Sequence, residues 1–475
     1  METNVTQNQP QLPHWRGFTE RHSTTIKVIV VGILTLLLLI PLGMIRSLIF
    51  ERQSTQRNAI NEITSKWSGE QIITGPCIVI PYVQQISTNN VTEVVKKNLL
   101  LFPETLNVNG NVSVEKRKRG IYDASVYKSD MVFSGEFNLE EVQKSGIKPQ
   151  DMQLSEARLM MGISDLKGIR EGVSIQIGSE NLNVEPGIPV ENIPSAGSPE
   201  QMYFFDEEHN IASPSVVGGI FNAGLNAAMD SVLPDAAMPE KLPFNLSLFL
   251  NGSQGLFVAP IGKTTNMQLK SNWATPSFGG EFLPETREVS ENGFSASWKV
   301  LDLNRSFGQT VQSDNSTAIA KISSSVFGVK FIQAVNQYQQ NLRSVKYAIL
   351  IILLTFVVVF FIELIKKKSV NPFQYLLVGL ALVLFYSLLL SMSEVWGFNL
   401  AYAVAALMTT SLITLHMSSI LKNRQQGMLI GALLAFLYLF VFILIQMESF
   451  ALLVGSLGLF AILAVIMYYS KKIRF

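Results

Sequence analysis

Three ionisable side chains in apolar surroundings have the strongest claim to chemistry: Arg46, Glu363 and Glu394. Charge inside a bilayer is costly and marks ion or proton pathways, so each residue raises the question of transport. Glu363 lies deepest. Lys367 follows it by four residues, the order and spacing that favour a local ion pair on one helix face over a proton relay. Glu394 is expected at an outer helix end within reach of water, and Arg46 is placed either to pair with it or to snorkel to the headgroups. His14, His22, His209 and His416 are scattered and Cys77 stands alone, whereas zinc needs three or four converging ligands, so no metal site is expected. Cys77 beside Pro76 reads as a buried strand residue rather than a reactive thiol. The sequence has no Walker A loop, no G-x-G-x-x-G opening a helix and no G-x-S-x-G elbow. No catalytic or cofactor-binding residue is assigned, and an enzyme has no positive support.

These residues need membrane helices to position them. The block from Lys346 onward opens KYAILIILLTFVVVFFIELIKKK. At about 1.5 Å rise per residue, Tyr347 to Ile365 is long enough to cross a hydrocarbon core of about 30 Å. Further spans are expected over Gln374 to Ser393, Phe398 to Leu421, Met428 to Gln446 and Phe450 to Tyr469. Near the N-terminus, Ile26 to Ile45 reads as another span, an uncleaved anchor, since Arg46, Glu51 and Arg52 follow where a signal peptide would carry a small-residue cleavage site. Pro41 should kink it. The basic loops Lys366 to Lys368, Lys422 with Arg424, and Lys471 to Arg474 alternate with turns that lack Lys and Arg, at Glu394 and Glu448. The positive-inside rule then puts both termini in the cytoplasm.

The resulting organisation is a cytoplasmic tail (1–25), a first transmembrane helix (26–50), an external β-rich domain (51–345), a five-helix membrane domain (346–470) and a cytoplasmic tail (471–475). With 48% hydrophobic residues, 15% charged and a net charge of +1, the chain mixes soluble and membrane regimes and carries no nucleic-acid footprint. The lipid bilayer is the one partner that composition identifies. In the membrane part, Gly427, Gly431 and Ala435, and likewise Ala401, Ala405 and Thr409, recur every four residues and predict close helix packing, within one chain or between chains.

The external domain enters on an amphipathic stalk, with Ile60, Ile63 and Trp67 on one face, expected to end at Gly75-Pro76. Short apolar or alternating runs then predict strands over Cys77 to Ile86, Lys97 to Phe102, Asn107 to Val114, Gly120 to Tyr127, Asp130 to Asn138, Leu159 to Ser164 and Val173 to Ile177. More are expected over Phe244 to Leu250, Gly255 to Pro260, Asn266 to Ser271 and Gly293 to Lys299. Spacing of about ten residues per strand points to a β-sandwich. Glu140 to Lys144 reads as a short helix, Gly219 to Leu233 as a helix or a flexible excursion, and Ala318 to Arg343 as one helix leading back to the membrane. The basic run Lys116 to Arg119 reads as a solvated strand or hairpin edge. The run Asn272 to Glu291 is broken by Pro276, Gly279, Gly280 and Pro284 and is expected as a loop. Its Trp273, Phe278, Phe282, Arg287 and Glu288 suit a contact surface, or else the aromatics tie down a packed Ω-loop.

One stretch of this domain, SNWATPSFGGEFLPETREVSENGFSASW (Ser271 to Trp298), resembles the CreD family of bacterial inner membrane proteins. So do TGPCIVIPY, which ends at Tyr82, EKRKRGIY from Glu115 to Tyr122, and PFQYLLVGLALVLFYSLLLSMSE from Pro372 to Glu394. The resemblance runs nearly end to end. It implies a multi-pass protein of the bacterial inner (plasma) membrane that supports cell-envelope integrity and the stress response, in the regulon of a two-component system, through contacts with an unidentified periplasmic or envelope partner. The alternative is a transporter or channel-like component.

Overall fold

Caps and apolar length together set the helices of the computed structural model, which describes residues 23–88, 91–190, 193, 220–233, 240–331, 337–366, 370–447 and 450–470. The helices are α1 (Ser23–Leu37), α2 (Leu39–Trp67), α3 (Glu140–Gln143), α4 (Ser316–Ser324), α5 (Gln337–Lys346), α6 (Ala348–Lys366), α7 (Pro372–Trp396), α8 (Phe398–Leu421), α9 (Arg424–Gln446) and α10 (Ala451–Ser470). α7 starts where the Asn371 side chain accepts the Phe373 amide at 3.0 Å and Pro372 takes the first helical position. It stops at Gly397, whose φ of 77° suits glycine. Asn423 caps α9 in the same way, accepting the Gln425 amide at 3.0 Å. α1 and α2 are interrupted at Leu38 alone, because Pro41 has no N–H to give the carbonyl four residues earlier. Among the described residues six helices are long and apolar enough to cross a membrane: Ile26–Trp67, Gln337–Ile365, Pro372–Trp396, Phe398–Leu421, Arg424–Gln446 and Ala451–Tyr468.

The chain divides into a helical unit, drawn from its two ends up to Arg57 and from Val335 on, and a β unit, Asn58–Ala334. Strands of the β unit are β1 (Gln71–Thr88), β2 (Val91–Leu101), β3 (Thr105–Arg119), β4 (Tyr122–Asn138), β5 (Arg158–Ile163), β6 (Ser174–Ile177), β7 (Glu180–Leu182), β8 (Val184–Pro186) and β9 (Gly224–Ala228). They continue with β10 (Lys241–Ser253), β11 (Gly255–Val258), β12 (Thr264–Ser271), β13 (Pro276–Gly280), β14 (Thr286–Ser290), β15 (Gly293–Leu301), β16 (Thr310–Gln312) and β17 (Phe327–Phe331). One sheet of nine strands runs β13-β17-β11-β1-β5-β9-β8, with β2 on β1 and β16 on β2; the other runs β14-β15-β12-β3-β4-β10-β6-β7.

Period-two patterning decides which side of each strand is buried. In β10, Leu242, Phe244, Leu246, Leu248 and Leu250 are buried, while Lys241, Pro243 and Asn245 between them are exposed. Both sheets feed one hydrophobic cluster. Tyr127 of β4 meets Phe331 of β17 with ring centroids 5.0 Å apart, and Trp298 of β15 meets Phe327 of β17 at 5.9 Å. Full burial of each such aromatic stabilises by about 1.5–3 kcal/mol. The Gln71 amide, buried in this core, donates to Ser68 Oγ at 2.9 Å, to the Asp165 carbonyl at 2.9 Å and to the Asn251 carbonyl at 3.1 Å. The Trp298 indole N–H and the Thr74 and Tyr82 hydroxyls are instead buried without a hydrogen-bond partner among the described residues.

Four local expectations are corrected. The stalk helix ends at Trp67, and Gly75-Pro76 lies inside β1. Within Gly219 to Leu233 a strand forms, β9, whose Leu225 and Ala227 are buried between β5 and β8. Ala318 to Arg343 is not one helix. It is the end of α4, then β17, then α5, because the β-branched and aromatic Val326 to Phe331 fill a buried sheet position. Asn272 to Glu291 is not a loop, since β13 and β14 form the edge strands of the two sheets.

Candidate functional site

In the helical unit the polar groups meet at two places. Glu363, near the C-terminal end of α6, is 5% exposed. The Lys27 ammonium, from the first turns of α1, donates to its Oε1 in an ion pair, and the Tyr375 hydroxyl of α7 donates to Oε2 at 3.1 Å. Both carboxylate oxygens are therefore satisfied. Phe356 packs edge-on to Tyr375 at 5.6 Å, and Val30, Val31, Phe360 and Val370 wall the site. The remaining cavity, about 10 Å³, is at the lower limit for a single water. Lys367, the partner expected from spacing, lies outside the described residues, as do His14, His22, His209 and Glu448.

The second cluster joins the start of α5 to the end of α7. Tyr338 Oη donates to Glu394 Oε1 at 2.9 Å, and the buried Asn341 amide donates to Ser393 Oγ at 2.9 Å. Arg46 does not pair with Glu394. It is exposed, with its guanidinium 5.7 Å from the Phe50 ring centroid.

Between the two clusters lies an aromatic centre. Phe385 stands 4.5 Å from Tyr438 and 5.3 Å from Tyr402, and the Tyr402 hydroxyl donates to the Tyr438 carbonyl at 2.9 Å. The Tyr386 and Tyr438 hydroxyls are buried without a hydrogen-bond partner among the described residues, as is His416 Nε2. Close approach of α8 and α9 depends on glycine: a Cβ at Gly427 would strike Ser418, and one at Gly431 would strike Thr414. Ala401, Ala405 and Thr409 are buried as their spacing suggests, whereas Ala435 is exposed.

In the β unit the five candidate contact residues separate into two kinds. Trp273 is 8% exposed, and its indole N–H donates to the Thr275 carbonyl at 3.0 Å. Phe278, on β13, packs edge-on to Phe294 at 5.4 Å and Trp298 at 5.8 Å, and Phe282 to Phe327 at 6.0 Å. These aromatics belong to the core. Arg287 and Glu288 are exposed on β14, all five of whose residues face solvent. Alanine at Trp273 should therefore cost about 3 kcal/mol and at half-buried Phe278 about 2 kcal/mol. Alanine at Arg287 or Glu288 should stay within about 0.5 kcal/mol. Thermal melts of the four variants check this, and an unchanged melt for Trp273→Ala would refute the packing.

The basic run Lys116 to Arg119 is the exposed end of β3. Lys116 lies 5.5 Å from the Trp273 ring centroid and Arg117 3.9 Å from that of Trp67, while Arg119 pairs with Glu62. Cys77 is fully buried in β1, and burial pushes its thiol well above the ordinary range, away from thiolate chemistry. Burial likewise raises the Glu70 carboxyl, with nearby Lys330 opposing it. Among the described residues no group of three or more His, Cys, Asp and Glu is placed to hold a metal ion.

Lys27, Tyr375, Tyr338, Asn341 and Ser393 were not singled out by sequence reasoning. Lys27 is the instructive omission, since a lone lysine two residues into an apolar run is itself a signal for a buried partner.

Two comparisons bear on this architecture. A family model described as inner membrane protein CreD matches residues 23–475. The inner membrane protein CreD of Escherichia coli (strain K12) is 32% identical to this chain over 443 residues, covering 92% of this chain and 90% of its own length.

Proposed function

The chain belongs to the CreD family of inner membrane proteins, and on that premise we propose that it supports cell-envelope integrity under stress through contacts of its β unit. In this reading the β unit is periplasmic and sandwich-like, both termini are cytoplasmic, and the protein is neither an enzyme nor dependent on a cofactor. The observation that carries it is the state of the polar groups among the membrane helices. Glu363 is closed off by Lys27 and Tyr375, and Glu394 is bonded to Tyr338. Such pairs fasten helices together. A transport pathway needs ionisable groups lining a route at mid-membrane, whereas both carboxylates lie near helix ends and between them lie the tyrosine hydroxyls of the aromatic centre. The Lys27–Glu363 pair puts the start of the first span and the end of the second on one side, and it is the Lys/Arg bias of the short loops that supports this side as cytoplasmic.

The test is deletion of the gene, scored for detergent and β-lactam sensitivity, followed by complementation. A version lacking 58–334 should fail to complement, while Glu363→Gln and Glu394→Gln should complement if they accumulate. In a Cys77→Ser background, Leu303→Cys, at a residue 88% exposed, should label from outside the membrane. A dispensable β unit with essential carboxylates would reverse the conclusion in favour of transport.

A further inference from the structure

The short strand β16 pairs with β2 alone, Thr310 opposite Leu101 and Gln312 opposite Leu99. The Phe102 amide donates to the Gln309 carbonyl at 3.0 Å and the Ser313 amide to the Asn98 carbonyl at 2.9 Å. Residues 309, 311 and 313 therefore turn their backbone groups toward β2, and antiparallel alternation turns those of Thr310 and Gln312 the opposite way. The Gln312 carbonyl is taken by the Asn315 amide at 3.0 Å. The Thr310 N–H and C=O and the Gln312 N–H are hydrogen-bonded to no described residue. They form a free strand edge with donors two residues apart.

That edge borders a groove of about 380 Å³. It is lined by Thr310 and Gln312, by Thr317, Ala318 and Lys321 of α4, and by Phe307, which contributes apolar surface. A free strand edge beside a groove can receive an extended peptide as an added strand, with main-chain hydrogen bonds giving affinity and side-chain pockets giving selectivity.

We propose that this groove binds a short extended peptide segment of an envelope protein, which adds a strand to the open edge of β16. The inference rests on the reading that the β unit makes the protein's envelope contacts, and it names the class of partner. Among the described residues Lys321 is the one charged residue lining the groove, so the segment carries an acidic side chain or a free C-terminal carboxylate at that position. Phe307 and Ala318 select an apolar side chain beside it. The hydroxyls of Ser306, Thr310 and Thr317 would also suit a sugar, but the regular spacing of main-chain donors matches a peptide backbone.

The experiment uses the full-length protein in nanodiscs and does not depend on any cellular phenotype, so its failure is separable from failure of the functional reading. A phage-displayed library of eight-residue peptides is panned on it, and the enriched peptides are synthesised and titrated. Acidic, extended sequences should be enriched over nanodiscs without the protein, and their binding should slow hydrogen exchange at the Thr310 and Gln312 amides. Thr310→Pro removes one outward N–H at an edge position that tolerates proline and should weaken binding about tenfold. Lys321→Glu, at an exposed site, should weaken acidic peptides by at least about tenfold and shift selection to basic ones. The proposal is overturned if no peptide is enriched, if Lys321→Glu leaves selection unchanged, or if exchange at Thr310 and Gln312 is unaffected. Binding of chitotetraose in the groove in place of peptide also overturns it.

Discussion

Methionine at Lys27 will destabilise the helical unit by about 3–5 kcal/mol, the expected loss when one partner of a buried ion pair is removed and the other stays charged. The Glu363 carboxylate, 6% exposed, would keep Tyr375 but lose its cation. Glu363→Gln should cost less, on the order of 2 kcal/mol. Its amide can still accept from Tyr375, and the Lys27 ammonium is 34% exposed and reaches water. The double variant Lys27→Met with Glu363→Gln should recover more than half of the larger loss, since no buried charge remains. Unfolding of the purified protein in graded SDS measures all three as a double-mutant cycle. Simple additivity would show that the pair contributes nothing specific.

Alanine at Trp298 is expected to cost about 3–5 kcal/mol in the β unit, among the largest effects of any single substitution there. The residue is 2% exposed on β15, and its ring meets Phe327 of β17 and Phe278 of β13, both strands of the other sheet. Removing it opens a cavity between the sheets, where phenylalanine should restore about half of the loss. Thermal melts of the two variants provide the check. If the sheets form a sandwich, Trp298→Ala should also loosen hydrogen exchange on β13 and β17. Protection unchanged on those strands would contradict the layering.

Hydropathy alone located the six long helices, because spans stand out by length and composition over nearly twenty residues. Most strands were equally legible. Alternation such as Leu242, Phe244, Leu246 and Leu248 admits no other buried face. The failures have a common cause in long-range pairing. Gly279 and Gly280 read as breakers, yet both lie in β13 paired with β17, and Gly280 sits at a φ of 97° where a side chain would strike the backbone of Val326 and Phe327. Val326 to Phe331 continued an apolar helical pattern, and only the neighbours β11 and β13 make it a strand. Glu363 offered a local partner at four residues, while Lys27 sits hundreds of positions away in sequence, where spacing carries no signal. The free edge of β16 is invisible in sequence for the same reason.

The pairing of β1 has a consequence for the order of folding. Gln71 stands opposite Leu256 and β11 in turn pairs with β17, while in the other sheet Thr105 of β3 stands opposite Thr264 of β12, parallel in both the β1–β11 and β3–β12 pairs. Each of these early strands thus waits for one partner made about 160 or more residues later, and contacts this distant in sequence make closure slow. Although β2 and β5 can pair the rest of β1 early, one edge of its Gln71–Ile73 segment, with Ile72 and Ile73, stays open until β11 is made, and an open apolar edge is prone to aggregate. In the proposed topology, export of the β unit is expected to require a holding chaperone until Gly255–Val258 arrives to close that edge.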